Sequence, residues 1–277
     1  MTKLIPLREV AHLKLVLPAD EVGIADRSWL PVSHTELHLA CLYFPIAVRF
    51  DAGLPSLGLI VGAQYLKYPA LDASGRWQGG YKPIALRGFP LQSGTIGADP
   101  LSDILVASDS CHLGGKDGIP LVDGSGAPSP LIREIHRLLG LLQETRAKFA
   151  QALDQLLIAN LLVSIGPTAR NSSDEDALPL YVVDGARFLD TDKRALGAMA
   201  RHSFTALDIG VACLASQRLL RDQYRPKLPA AARTKLQAPK IAFPPHDGFG
   251  LEEFDLMLDD GELISPADID AMRDTAG

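Results

Sequence analysis

The clearest pattern of apolar and polar positions in this chain lies in the segment from residue 131 to residue 157. Large apolar side chains and one threonine recur there at steps of three or four residues, at Leu131, Ile135, Leu138, Leu142, Thr145, Phe149, Leu153 and Leu156. This spacing predicts an amphipathic helix with a continuous apolar stripe about 26 residues long. Ser129 is suited to cap the helix and Pro130 to occupy its first position. We expect the stripe to pack on the protein's own β region or, in the alternative, to form a seam with a partner helix.

The residues before this helix have the pattern of β-strands. Residues 46–50 alternate in polarity, and a turn separates them from a second apolar run at residues 57–62. Two such runs predict an antiparallel hairpin. Residues 76–123 are short apolar segments broken by Gly, Pro, Asp and Ser, which indicates further short strands. A short helix is predicted for residues 35–42, and Pro45 prevents its continuation.

Shorter elements follow the long helix. Residues 180–189 contain apolar side chains on both sides of an Asp-Gly pair, which predicts a hairpin with that pair at its turn. Thr191 or Asp192 is suited to cap a further helix. A last amphipathic segment is predicted for residues 204–224, with Gly210 as a candidate break within it.

These patterns together predict an α+β fold. A single domain would occupy residues 1–225, with an irregular antiparallel β region at 1–128 and long amphipathic helices at 129–225. Residues 226–245 are rich in proline and alanine, which is the composition of a linker. Residues 246–277 contain ten acidic side chains and one arginine and are predicted to form a flexible acidic tail.

The distribution of charge narrows the possible partners. The whole chain has a net charge of −6, but outside the tail 26 basic side chains face 23 acidic ones. A nearly neutral body gives no basic surface for nucleic-acid binding. The chain has no pattern of an export signal and no apolar run long enough for a transmembrane segment, so we expect a cytoplasmic protein. Its three widely spaced cysteines predict unpaired thiols.

The tail mixes its acidic residues with large apolar ones. The apolar candidates for partner docking are Phe249, Leu251, Phe254, Leu256, Met257 and Leu258. Acidic-hydrophobic segments behind a linker often fold as they bind a groove on a partner. We therefore expect the tail to dock on another protein or on its own body. The alternative is a tail that only keeps the protein in solution.

The most unusual local sequence is the cassette at residues 75–90, which reads Gly-Arg-Trp-Gln-Gly-Gly-Tyr-Lys-Pro-Ile-Ala-Leu-Arg-Gly-Phe-Pro. Its aromatic side chains can bury a large area, its glycines permit a positive φ, and its prolines fix φ. Such a combination predicts a fixed, irregular segment instead of a regular helix or strand.

The cassette resembles the signature of the bacterial SapC-like family, Gly-x-Trp-x-x-x-Tyr-x-Pro-x-x-x-Arg-x-x-Pro. The matching residues are Gly75, Trp77, Tyr81, Pro83, Arg87 and Pro90. Further matches are Pro6-Leu7, His12, Glu36 and the segments 43–48, 118–129, 181–196 and 212–220. The chain departs from the family at Leu86, where the family has a second basic residue. The resemblance covers about residues 4–224 and implies an accessory protein whose family name is loosely linked to surface layers.

Four polar or aromatic members of the matched motifs are candidate ligand-binding residues: Glu36, Trp77, Tyr81 and Arg87. Glu36 and Arg87 could form an ion pair that fixes the loop. In the alternative they line a pocket in which Arg87 binds a carboxylate or phosphate bidentately. Trp77 and Tyr81 could stack on a sugar, an aromatic group or a proline-rich peptide, or they could be core residues.

His34 and His38 are the candidate metal ligands. In a helix they would lie one turn apart on the same face, as two of the ligands do in many zinc sites. The acid between them, Glu36, is not in the position of the general base of a His-Glu-x-x-His motif. A third ligand would have to come from His12, His112 or an acid elsewhere; otherwise the two histidines are polar surface or packing residues.

The sequence thus favours a SapC-like accessory protein over an enzyme. It would bind a ligand or peptide in a pocket around the cassette and dock a protein partner through residues 246–277 or the 131–157 helix. The alternative is an enzyme, in one form metal-dependent, that uses Glu36 and the histidines in the same pocket. No cofactor is identified by the sequence, because no catalytic or nucleotide-binding motif has the required spacing.

Overall fold

The protein is described here by a computed structural model. It describes residues 3–17, 27–51, 53–72, 74–78, 80–114, 118–165, 178–201 and 203–227. The acidic tail and nearly all of the predicted linker lie outside these residues, so the expectations for them stay predictions.

The strands of the described residues form three antiparallel sheets. They are β1 (Leu4–Pro6), β2 (Lys14–Leu15), β3 (Trp29–Pro31), β4 (Ile46–Asp51), β5 (Leu54–Ile60), β6 (Gln92–Ser93), β7 (Ile104–Ala107), β8 (Ile119–Pro120), β9 (Leu162–Ile165) and β10 (Leu180–Val183). The largest sheet has the order β3-β5-β4-β10-β9, and the smaller ones are β1-β7-β6 and β2-β8. The predicted hairpin is confirmed, because β4 and β5 pair from Ile46 opposite Leu59 to Asp51 opposite Leu54.

Seven α-helices accompany these sheets within the described part of the chain. They are α1 (Leu37–Ala40), α2 (Ile84–Arg87), α3 (Pro100–Asp103), α4 (Pro130–Ile158), α5 (Gly185–Leu189), α6 (Lys193–Ala200) and α7 (Thr205–Ser216). Helices and antiparallel sheets combine in an α+β fold, as the sequence predicts. No helix in the described ranges is both long enough and apolar enough to cross a membrane.

Helix α4 joins two hydrophobic cores. Its first half contributes Ile132 and Ile135 to a small core under the β1-β7-β6 sheet. Its second half contributes Phe149, Leu153 and Leu156 to a large core on the five-stranded sheet. The predicted apolar stripe is therefore buried within the protein's own fold. It is not exposed as a seam for a partner helix, because its large apolar members already pack against the two cores.

One predicted hairpin is wrong. Strand β10 does not turn back at Asp184-Gly185; the chain enters helix α5 there instead. The carboxylate of Asp184 accepts hydrogen bonds from the backbone N–H groups of Ala186 and Arg187, which caps that helix. Strand β10 pairs with β4 on one side and, on the other, with β9, which directly follows α4. Strands are thus not confined to residues 1–128.

Two loops use the same local sequence, Asp-x-Ser-Gly, at Asp72 and Asp123. In each, one carboxylate oxygen accepts from the N–H and the hydroxyl of the following serine and from an N–H four residues on. The glycine that follows has a φ of 79° at Gly75 and 82° at Gly126, which disfavours other residues. The first of these turns brings Trp77 back beside Leu71 and so begins the cassette.

Candidate functional site

Glu36 ties the start of α1 to the cassette. Its side chain is only 3% exposed. One carboxylate oxygen accepts the N–H of Ser33 at 2.9 Å. The other accepts the hydroxyl of Tyr81 at 2.6 Å and the N–H of Ile84, the first residue of α2, at 2.9 Å. Three donors thus compensate the burial of this carboxylate, which would otherwise be costly.

Tyr81 is the half-buried partner of Glu36. Its ring lies 6.1 Å from the ring of Tyr43, centroid to centroid, and the guanidinium of Arg87 lies 5.4 Å from its centroid. Burial raises the pKa of Tyr81 well above its usual value, and the hydrogen bond to Glu36 and its charge raise that pKa further. Tyr81 is therefore a hydrogen-bond donor at neutral pH and not a base.

Trp77 closes the cassette on itself. Its indole Nε1 donates to the carbonyl oxygen of Tyr81 at 3.1 Å. Its ring lies 5.4 Å from the ring of Phe44, at the margin of the large core. In this arrangement the indole packs within the folded loop and is half-buried.

Arg87 lies at the end of α2 and is exposed. Its Nε donates to the carbonyl oxygen of Lys82 at 3.0 Å. None of the ion pairs between described residues joins Arg87 to Glu36, so the ion pair considered from the sequence does not form. Glu36 is stabilised by neutral donors, which leaves the guanidinium of Arg87 accessible on one side of the cassette.

The two candidate metal ligands do not share a helical face, because α1 begins only at Leu37. His34 precedes the helix, and its Nδ1 and backbone N–H both lie 2.9 Å from the hydroxyl of Thr145 on α4. That hydroxyl donates to the carbonyl oxygen of Leu141, so Nδ1 of His34 is the donor and carries a proton.

Nε2 of His34 lies 2.9 Å from the ammonium of Lys148, which donates to it. His38 lies on α1 and is exposed. The described residues contain no group of three His, Cys, Asp or Glu side chains that could hold a metal ion. His34 has the bonding of a residue that connects the 33–36 turn to α4.

Beside the cassette lies a cleft of about 680 Å³, here called the arginine-lined cleft. Its walls come from the β3 and β4 strands, from α2 and the residues after it, from β6 and from α4. Apolar and polar groups share the accessible lining about equally; the large apolar side chains are Trp29, Leu30, Leu86, Phe89, Leu139 and Leu142. The charged side chains among its described lining residues are all arginines: Arg27, Arg49 and Arg146.

Arg49 is the most enclosed of the three, with a side chain 13% exposed. Its guanidinium carbon lies 4.3 Å from the centroid of the Trp29 ring, within the range of a cation–π interaction. Its Nε lies 2.9 Å from a carboxylate oxygen of Asp51. The two atoms form an ion pair, but their alignment is too poor for a hydrogen bond, and both lack another partner among the described residues.

Arg27 and Arg146 are exposed at the same cleft. Neither guanidinium forms an ion pair with a carboxylate in the part of the chain that the structure describes. The sequence did not reveal these arginines as a group, because they come from three separate elements and only the fold brings them together. The one local signal is Arg49 itself, a cation between the apolar residues Val48 and Phe50 of β4.

The fold and the cleft define an α+β protein with a five-stranded antiparallel sheet, a long connecting helix and a cationic cleft. Comparison with protein-family models matches the SapC family over residues 9–222, and the chain belongs to this family. Comparisons with curated proteins and with solved structures found no significant match.

Proposed function

We propose that this SapC-family protein is a non-enzymatic accessory protein that binds a small ligand or a peptide in the arginine-lined cleft. The observation that carries the proposal is the cleft itself, which measures about 680 Å³ and combines apolar side chains with three arginines. Small-molecule sites in proteins are typically clefts of about 300–1,000 Å³ with apolar walls and a few well-placed polar groups. The size of this cleft fits that description, and its lining is more polar than that of a typical site, which favours a ligand with a charged or polar group.

In this proposal the cassette shapes the wall of the cleft. Glu36 accepts the first N–H of α2, from Ile84, and so fixes the helix that contributes Leu86 to the lining. Phe89 lies just beyond that helix and lines the cleft as well. Trp77 and Tyr81 support the loop that leads into α2. Glu36, Trp77 and Tyr81 would therefore act on the ligand by positioning α2, while the exposed Arg87 remains a candidate for direct contact.

A ligand screen on the full-length protein tests this proposal. The panel contains neutral, cationic and anionic small molecules and short peptides, and binding is measured by the shift in Tm. Each hit is then measured with Leu142→Trp, which fills the cleft from α4. The matched control is Ile158→Trp, at a position 86% exposed at the end of the same helix.

We expect hits that bind the wild type and Ile158→Trp but lose at least about tenfold in affinity with Leu142→Trp, because the larger indole projects from the wall into space that the ligand would occupy. A panel without hits, or hits that bind Leu142→Trp unchanged, would contradict a binding function for this cleft.

We also propose that residues 246–277 dock a protein partner. The support is the composition of the segment, in which large apolar side chains alternate with acidic ones behind a Pro/Ala linker. Pull-down with the full-length protein is compared with pull-down with residues 1–245 and with a full-length variant in which the six docking candidates, from Phe249 to Leu258, are changed to serine. A partner captured only by the wild-type full-length protein is the expected result. The serine variant keeps all charges of the tail. If it captures the partner as well as the wild type does, docking through the apolar side chains is contradicted.

The enzyme alternative has less support. Glu36 would have to reach a substrate, but its carboxylate already accepts three hydrogen bonds from the protein. His34 is likewise bonded through both ring nitrogens. A catalytic base has to reach its substrate, and Glu36 is only 3% exposed with three of its acceptor sites occupied, while both ring nitrogens of His34 are bonded.

A further inference from the structure

We propose that the ligand of the arginine-lined cleft is an amphipathic anion, with an apolar acyl or aryl body and a carboxylate or phosphate head. This inference rests on the proposed binding function and adds the chemical class of the ligand. Its basis is the combination, in one cleft, of apolar walls and charges of a single sign.

The charges of the cleft require an anion. Arg27 lies just before β3, Arg49 lies in β4 and Arg146 lies in α4, so three separate elements each supply one guanidinium. Asp51 compensates Arg49, whereas Arg27 and Arg146 have no carboxylate partner among the described residues. Guanidinium groups bind carboxylate and phosphate oxygens in a bidentate way and are well suited to partly buried sites. A cationic ligand would be repelled there.

The apolar side chains in the walls of the cleft favour an apolar body behind the anionic head. Trp29, Leu86, Phe89 and Leu142 present hydrocarbon and aromatic surface to the same space as the arginines. A bare inorganic anion would leave this surface in contact with water and would gain nothing from it. An acyl or aryl group removes that surface from water, which adds affinity in proportion to the area buried.

Arg49 supplies the preorganised part of the head-group site. The ring of Trp29 on one side and the carboxylate of Asp51 on another restrict its guanidinium to one orientation. Its Nη2 also donates to the second carboxylate oxygen of Asp51, at 3.3 Å. Arg49 therefore contributes a fixed positive charge beside the cleft, and little side-chain entropy would be lost on binding.

Titration calorimetry with four amphiphiles of one chain length tests the inference. They are dodecanoate, dodecyl phosphate, dodecanol and dodecyltrimethylammonium, each below its critical micelle concentration, with inorganic phosphate as the head group alone. We expect both anions to bind saturably, at least about tenfold more tightly than the alcohol, because a charge-assisted hydrogen bond contributes about that factor. Dodecyltrimethylammonium, the cation, should bind more weakly than dodecanol. Inorganic phosphate should bind more weakly than dodecyl phosphate.

The arginine variants locate the effect. Arg146→Gln and Arg27→Gln should each weaken the two anions about tenfold and leave dodecanol unchanged. The matched control is Arg137→Gln, an exposed arginine on the same helix that pairs with Glu134 and does not line the cleft. Its binding of all four amphiphiles should equal that of the wild type. If dodecanoate binds and dodecyl phosphate does not, the head group is a carboxylate; the reverse result identifies a phosphate.

Equal affinity for the anions and the alcohol would overturn the inference, as would equal losses in Arg146→Gln and Arg137→Gln. If no amphiphile binds but the ligand screen yields a hit that Leu142→Trp abolishes, the anion inference fails and the binding function stands. If neither experiment yields a ligand for the cleft, both fail.

Discussion

The carboxylate of Glu36 shows, at the scale of single residues, how one buried charge organises a loop. It is stabilised by the hydroxyl of Tyr81 and by two backbone N–H groups and not by a cation. Neutral donors are sufficient when several of them converge on the carboxylate. The arrangement requires Tyr81 to keep its proton, since a tyrosinate would lose its bond to Glu36 and be repelled by it.

We predict that Tyr81 loses its proton at unusually high pH and that the protein loses stability over the same range. Burial, followed by the hydrogen bond and the charge of Glu36, raises the pKa of Tyr81 in the folded state above the ordinary value of about 10. The resulting stabilisation is therefore complete below about pH 10 and is lost as the pH rises from there through the folded-state pKa. Tyrosinate absorbance and denaturant unfolding, both measured against pH, follow the two effects.

Variants identify the residue behind this titration. Tyr81→Phe should remove the tyrosinate absorbance step at the highest pH, here called the late step, and reduce the alkaline loss of stability. Tyr68→Phe, at a residue 79% exposed, should leave the late step in place. Glu36→Gln should lower the pKa of Tyr81, because the negative charge is gone. Burial also raises the pKa of Tyr65, so that residue is kept in every variant. A late step that survives Tyr81→Phe at full amplitude would contradict the assignment.

Helix α7 illustrates, at the scale of elements, why a glycine can be necessary in a helix that it does not break. Gly210 lies in the middle of α7 and is buried. A Cβ added there would lie 2.5 Å from Cε2 of Phe188 on α5, which is far inside van der Waals contact. The glycine thus allows α5 and α7 to pack closely, a reason that only the tertiary structure reveals.

We predict that Gly210→Ala destabilises the protein by about 1–3 kcal/mol, because the overpacked Phe188 ring must move. An alanine in place of a glycine in a helix normally stabilises by about 0.5–1 kcal/mol, so the sign is reversed here. Gly197→Ala is the control, since it lies in α6 with no atom within 4 Å of the added Cβ, and it should stabilise. Urea unfolding measures all the variants.

Phe188→Leu in the Gly210→Ala background should recover part of the lost stability, and a double-mutant cycle gives the coupling. Additive effects of the two substitutions would mean that the close approach of Phe188 is not the cause.

Some of these elements can be predicted from the sequence alone and others cannot. The stripe of α4 and the β4-β5 hairpin are predictable because each repeats a local period over many residues. The conformation of residues 184–185 is not predictable, because an Asp-Gly pair suits a hairpin turn and a helix start equally well. Which of the two forms depends on β9, which is available as a partner for β10. The cassette makes Glu36 and Tyr81 conspicuous in the sequence, whereas the hydrogen bond between them is visible only in the structure.

The arginine-lined cleft cannot be predicted from the sequence, for a different reason. Arg27, Arg49 and Arg146 follow no common motif, and their grouping depends on how α4 and the edge of the large sheet are packed together. Local patterns carry no information on such long-range neighbours. The residues that a motif makes conspicuous, such as Glu36 and Trp77, instead bond to the loop and helix beside the cleft.

Helix α4 determines the behaviour of the whole molecule, because it is the element shared by both hydrophobic cores. Ile135 is buried in the small core, whereas Phe149 and Leu153 on the same helix are buried in the large one. Because most of the stability of a helix in a protein comes from tertiary packing, each core stabilises the helix that the other core also needs. Separate unfolding of the two cores is therefore disfavoured.

We predict that Ile135→Ala, a change in the small core, destabilises the large core as well. The loss of a buried isoleucine side chain costs about 2–5 kcal/mol. The chain's two tryptophans, Trp29 and Trp77, both lie in or against the large core, so their fluorescence reports on that core alone. In urea, the fluorescence midpoint of Ile135→Ala should fall together with the circular dichroism midpoint, while Glu134→Ala, at an exposed neighbour, should change neither. An unchanged fluorescence midpoint with a lower dichroism midpoint would mean that the cores unfold separately and that α4 does not couple them.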